Sequence, residues 1–135
     1  MIPRAMDAFL KARLPERTLQ NRLICEEDRC YLEFGPLDVD RLSRLDISVD
    51  NLGPRLVVCM WDETSPLEIG GFLVVDNLAM GKPSMGGIRM LPDISPAAIH
   101  NLARGMTLKN AAANLPYGGG KSGIVGDPGV ATEQH

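Results

Sequence analysis

The sequence is poor in aromatic residues (4%), and it contains two histidines, His100 and His135, and three cysteines, Cys25, Cys30 and Cys59. Each scarcity excludes something. Cys25 and Cys30 stand five apart with no histidine near them, a spacing that fits no common zinc site, so no metal is expected. An odd cysteine count without a secretory leader argues against a disulfide framework and for free, reduced thiols, with Cys59 in an apolar run as a core residue. There is no basic surplus. The net charge of −3, with both signs interspersed, argues against a nucleic-acid partner. No window approaches the roughly 18 apolar residues that span a bilayer. Met1 leads into a mixed Pro3, Arg4, Asp7 segment instead of an apolar leader. A cytoplasmic protein with no membrane partner is therefore expected. Internal repeats and low-complexity tracts are also missing.

What is present is an ordinary hydrophobic fraction of 44% over 135 residues, enough for one domain or part of one. Residues 3–14 place Met6, Phe9, Leu10 and Arg13 at helical spacing, and Pro15 stops the pattern. Residues 17–50 show no single period. YLEF and LDISV read as two short strands split by Gly35-Pro36, and the alternating charges of 38–50 read as a solvated face or an interface. Residues 1–50 thus form an unassigned segment with a short helix. From Asn51 onward the signals sharpen. RLVVCMW (55–61) and EIGGFLVVD (68–76), joined by the turn cluster DETSP, read as a β-hairpin with Trp61 ending a core strand. Gly81, Pro83, Gly86 and Gly87 mark a stretch where the backbone must be permissive. Ser95 is a credible N-cap with Pro96 at the first helical position. Ala98, Ile99, Leu102, Ala103, Met106 and Ala113 carry a helix to about Asn114, with Pro116 beyond it. His100 reads as a surface or interface residue on that helix. Ile124-Val125 suggest a short strand before a Gly126-Asp127-Pro128 turn.

The run LPYGGGKSGIVGDP (115–128) nearly matches two phosphate-binding loops. Gly120-Lys121-Ser122 supplies the end of a G-x-x-x-x-G-K-[ST] loop, but its first glycine falls on Leu115. Gly118, Gly120 and Gly123 satisfy G-x-G-x-x-G formally. Both motifs should leave a strand and open a helix, whereas this run leaves a helix and enters GIVGDP. The remaining reading is that the glycines serve Lys121. They let the backbone take unusual angles and approach a ligand, and a lysine held there, partly removed from water, suits proton transfer or carbonyl chemistry. Lys109 lies at i+3 from Met106 and i+7 from Leu102, at the border of the apolar stripe. A turn at 114–116 would bring Lys121 back beside it. Two converging ammonium groups suit an anionic substrate that carries a carbonyl or imine.

At MGKPSMGGIRMLPD (80–93) and LARGMTLKNAAANLPYGGGKSGIVGDP (102–128) the sequence resembles the substrate-binding and dimerisation domain of the glutamate/leucine/phenylalanine/valine dehydrogenase family. The 55–76 hairpin also fits that family's opening strands. The resemblance implies an α/β fold, a mixed open sheet flanked by helices and truncated before the Rossmann domain, with residues 51–135 an incomplete N-terminal domain. It implies reversible NAD(P)-dependent deamination of an L-amino acid to a 2-oxo acid, and subunits that pair into a homo-oligomer. Lys121 would be the catalytic lysine, Lys109 would bind the α-carboxylate, and Met85, Gly86 and Gly87 would line the substrate pocket. In glutamate-specific members a lysine precedes the Gly-Gly pair; here that residue is Met85, which could not offset a second buried carboxylate and so favours an apolar amino acid. The family's catalytic aspartate and cofactor domain lie beyond His135, and Asp127 reads as a turn residue. NAD or NADP is therefore expected in a longer parent but not on this chain, which is expected to be inactive alone. The alternative is a non-catalytic oligomerisation or regulatory module.

Overall fold

The computed structural model describes residues 2–64, 70–78, 84–91 and 94–125. They form an α/β fold built on one mixed sheet. The elements in chain order are α1 (Arg4–Arg13), α2 (Glu16–Arg22), β1 (Ile24–Glu26), β2 (Arg29–Phe34), α3 (Val39–Arg44), β3 (Leu56–Asp62), β4 (Gly70–Val75), β5 (Ser84–Met85), β6 (Ile88–Leu91), α4 (Pro96–Ala112) and β7 (Gly118–Val125). Strands β1, β2, β3, β4 and β7 pair antiparallel in that order, and β5 and β6 add parallel to the outer edge of β7. The hairpin expected at 55–76 is the β3–β4 pair. No helix among the described residues is long and apolar enough to cross a membrane.

Register sorts the sheet into two unlike faces, because successive side chains along a strand point to opposite sides. Phe34, Val57, Val74 and Lys121 stand in one cross-strand row, and Leu32, Cys59, Phe72 and Gly123 in another. These rows face the helices. Met6 and Leu10 of α1, Leu42 of α3, and Ile99 and Ala103 of α4 close over them to form the core. Each fully buried Leu, Ile or Val contributes roughly 1.5–3 kcal/mol relative to exposure. The alternate rows, with Tyr31, Val58, Met60, Leu73, Ser122 and Ile124, line a groove of about 850 Å³ on the opposite face.

Three expectations are corrected. LDISV is not a strand: Val39–Arg44 forms α3, and Asp46 takes a positive φ of 63° that breaks any extended run. The 38–50 segment is not merely a solvated face, since Leu42, Leu45 and Ile47 are buried in the core. The glycine triplet is not a loop. Gly118–Val125 is one eight-residue strand between β4 and the β5/β6 edge. The expected helix appears as α4, with Ser95 Oγ accepting from the Ala98 amide at 3.2 Å and Pro96 at its start. At its far end Asn114 takes φ 58° and the Leu115 amide donates to Asn110 O at 2.8 Å, which turns the chain into β7. The residues Gly81 and Pro83, and the Gly126-Asp127-Pro128 turn, lie outside the described residues.

Candidate functional site

Glycine in β7 serves close packing against α4. A Cβ on Gly119 would lie 2.1 Å from Ala103 O and 2.3 Å from Thr107 N, so only hydrogen fits between strand and helix. The sequence reading expected the glycines to admit a ligand; at Gly119 they admit the protein's own helix. Lys121 stands two residues on, hence on the same helix-covered face, and is half-buried. Across the strand edge, the β5–β6 junction places Gly87 beside it. The Ser122 amide donates to Gly87 O at 3.2 Å, and a Cβ on Gly87 would lie 3.1 Å from Lys121 Nζ. Lys121, Gly86 and Gly87 are thus brought together by strand pairing, and Met85 stands in register with Gly119.

Lys109 is placed differently from its expected position at the border of the apolar stripe. The buried residues of α4 are Pro96, Ile99, His100, Ala103, Thr107 and Asn110, and Lys109 points away from them, exposed in the last turn. The contacts of Gly119 with Ala103 and of Gly123 with Ile99 set Lys121 level with the middle of α4. Lys109 is six residues beyond Ala103, about 9 Å along the axis at 1.5 Å per residue. Lys109 thus lies beyond Lys121, exposed toward the C-terminal end of α4, whereas Lys121 lies beneath the helix with Gly87 close to its ammonium.

The most densely bonded group nearby was not foreseen. Asp76, fully buried at the end of β4, accepts from Arg104 Nε at 2.7 Å, Arg104 Nη2 at 3.1 Å and Thr107 Oγ1 at 2.8 Å. His100 Nε2 lies 3.2 Å from Asp76 Oδ1, the oxygen that Arg104 Nη2 also reaches. Burial pushes the Asp76 carboxyl up, but hydrogen bonds from His100, Arg104 and Thr107 outweigh it and the net shift is down. Arg104 also forks onto Asp50 at 2.8 and 2.9 Å. That hydrogen bond holds the Asp50 carboxyl at about 2, and the two carboxylates raise Arg104 above its usual value. His100 is therefore a buried partner of Asp76, correcting its reading as a surface residue. The signal was in the sequence: His100, Arg104 and Thr107 at i, i+4 and i+7 form a polar line along one side of α4.

Cys25 and Cys30 are bonded to each other, which corrects the expectation of free thiols. They stand directly opposite in the β1–β2 register, Cα atoms 4.1 Å apart, after a turn in which Glu27 takes φ 57°. Glu63 approaches the pair, its carboxylate 3.3 Å from Cys30 Sγ. These three side chains have the reach of a metal site, but the sulfurs are engaged with one another. Cys59 is buried and free, its thiol pushed up to about 12 by burial.

The formal match Gly118, Gly120, Gly123 to a dinucleotide fingerprint does not fit a nucleotide. The three residues sit inside one extended strand of the sheet and do not open a helix whose N-terminus could face a phosphate.

Together these features define a mixed α/β domain that presents a half-buried lysine beside a glycine junction. Residues 59–135 match the dimerisation domain of the Glu/Leu/Phe/Val dehydrogenases, and the chain belongs to that family. It is 48% identical over 58 residues to an NAD-specific glutamate dehydrogenase of Staphylococcus aureus (strain COL), covering 43% of this chain and 14% of that one. It is 40% identical over 83 residues to a valine dehydrogenase of Streptomyces virginiae, covering 58% and 22%. Among solved structures, L-tryptophan dehydrogenase from Nostoc punctiforme is 36% identical, with a TM-score of 0.44 over 51% of this chain and 22% of that chain. The hetero-hexameric glutamate dehydrogenase from Thermus thermophilus, in its leucine-bound form, is 24% identical, with a TM-score of 0.43 over 96% and 27%. The chain spans 14% to 22% of the length of these two curated relatives.

Proposed function

We propose that this chain is the substrate-binding and subunit-pairing part of an NAD(P)-dependent L-amino acid dehydrogenase. The observation that carries the proposal is the half-buried Lys121 ammonium held against Gly87. Carried on a half-buried strand residue and partly removed from water, it is suited to donate a hydrogen bond to a substrate carbonyl oxygen. There it stabilises the negative charge that develops when an amine nitrogen adds to, or leaves, the adjoining carbon. Lys109, exposed and long, supplies a mobile cation for the α-carboxylate. Met85 at the Gly-Gly junction offers no charge to a second carboxylate, which favours an apolar amino acid over glutamate. Assayed by itself with leucine, valine, phenylalanine or glutamate, the 135-residue chain should not reduce NAD or NADP.

The sheet face opposite the helices, open among the described residues, supports pairing with a second copy. Met60 and Ile88 are exposed there beside Leu73 and Val58, a contiguous apolar surface on a domain of a dimerisation family. This same face is what would favour the second reading, a non-catalytic oligomerisation module. The deciding experiment titrates the isotopically labelled chain with the 2-oxo acid of leucine and with 2-oxoglutarate while following Lys121 and Gly87 resonances. Saturable shifts at both residues, stronger for the apolar acid, are the expected result. If neither acid shifts Lys121, the substrate reading fails and the module reading stands.

A further inference from the structure

Resting on the reading of Lys121 as the acting group, we infer that Asp76 is a positioning residue that fixes Lys121 through Thr107 and Gly119. The Asp76 amide donates to Gly119 O at 2.8 Å. The Gly119 amide donates to Thr107 Oγ1 at 3.1 Å, and that hydroxyl donates in turn to Asp76 Oδ2 at 2.8 Å. Both backbone polar groups of Gly119 therefore end on one residue, directly on one side and through a single hydroxyl on the other.

Chemistry gives this ring a direction. An ionised carboxylate can only accept, so it claims the hydroxyl proton and leaves a lone pair of Thr107 Oγ1 facing the Gly119 amide. The Ala103 carbonyl, at 3.3 Å, is a longer alternative acceptor for the same proton. Hydrogen bonds from His100, Arg104 and Thr107 favour the ionised carboxylate over the protonated form that burial favours. Gly119 has no side chain to anchor it, so these hydrogen bonds act with the close packing of α4 and the pairing to β5 to set its position. Val74 pairs with Lys121 in register, and Asp76 follows two residues later, just past the end of β4. A shift of Gly119 is carried two residues along β7 to Lys121 on the same face. Asp76 touches no reacting atom in this scheme; it acts by aiming the residue that does.

The test uses nuclear magnetic resonance of the whole 135-residue chain and reads neither binding nor turnover, so it can fail while the substrate reading stands, and the reverse. In the unmodified chain the Gly119 amide should exchange with solvent as slowly as the Val57 amide in β3, and Lys121 Hε should show a through-space contact to Gly87 Hα. Thr107→Val, which keeps the shape and removes the hydroxyl, should speed Gly119 exchange by about tenfold or more, as expected for an orphaned buried amide. It should also abolish the Lys121–Gly87 contact while Val57 stays unchanged. Thr107→Ser should restore both signals, which a purely steric role would not predict, and Asp76→Asn should weaken both. Retention of the Lys121–Gly87 contact in Thr107→Val overturns the inference. If that variant does not fold, the unmodified chain decides: Gly119 exchange as fast as that of the amide of Leu37, which is 98% exposed, overturns it equally.

Discussion

A Cβ on Gly87 would lie 3.1 Å from Lys121 Nζ across a strand edge, a position that glycine leaves to a hydrogen. The obstacle is the far end of a flexible side chain, so Gly87→Ala should cost little stability. The melting temperature should stay within about 2 °C, a surface-like change. Lys121 must nevertheless move, so 2-oxo acid binding should drop at least about tenfold by calorimetric titration. Loss of both stability and binding would show that Gly87 is structural.

Gly119→Ala should behave in the opposite way. The added carbon meets α4 backbone, which cannot give way without moving the helix. Overpacking of this kind costs about 1–3 kcal/mol or more. Chemical denaturation should show a lower midpoint with an unchanged slope.

In a longer parent enzyme that carries the cofactor domain, Lys121→Ala should collapse kcat, with about a hundredfold or greater loss as for removal of a charge-stabilising donor. Lys109→Ala should chiefly raise KM, because it removes binding shared by ground and transition states. Unchanged kinetics in both variants would remove these roles.

Acid should unfold the chain through its Arg104 cluster. Asp50, at about 2, and Asp76 both titrate below their ordinary values when folded. The unfolded chain therefore takes up protons first, and stability falls as pH drops. The contribution is complete above about pH 4, where unfolded aspartates are ionised, and declines as pH falls toward 2. Thermal melts between pH 7 and 2 should show this slope, and Asp50→Asn should flatten it. Melts that do not change across this window would contradict the assignment.

Alkylation followed by mass spectrometry should find one reactive thiol in the denatured, unreduced chain and three after reduction. In the folded chain Cys59 should resist alkylation, since it is buried and its thiolate form is suppressed. Three reactive thiols before reduction would contradict the Cys25–Cys30 bond.

The sequence was most legible where a strong period met clear punctuation. Ser95-Pro96 and the apolar spacing that follows announced α4, and the β-branched runs on either side of DETSP announced β3 and β4. Glycine concealed β7, since it has no strand preference of its own. GGGKS becomes strand because β4 pairs with it and α4 presses on it. LDISV misled because its alternating Leu45, Ile47 and Val49 imitate a strand, while Leu45 and Ile47 reach the core from a non-strand path. The cysteine pair depended on the register of a hairpin whose turn, Glu27-Asp28, carries no strong turn signal. At the site, Lys121 with its glycines was visible as chemistry. Asp76 was hidden because its meaning arises only when β4 and α4 are brought together.

The two faces of the sheet make β7 a matter of parity. Lys121 and Ser122 are neighbours in the chain, yet one lies beneath α4 and the other opens onto the apolar groove. Inserting or deleting a single residue between Gly118 and Lys121 would exchange them, sending the ammonium through the sheet to the surface proposed for a partner subunit. The length of that short glycine run is therefore as much a part of the site as the lysine at its end.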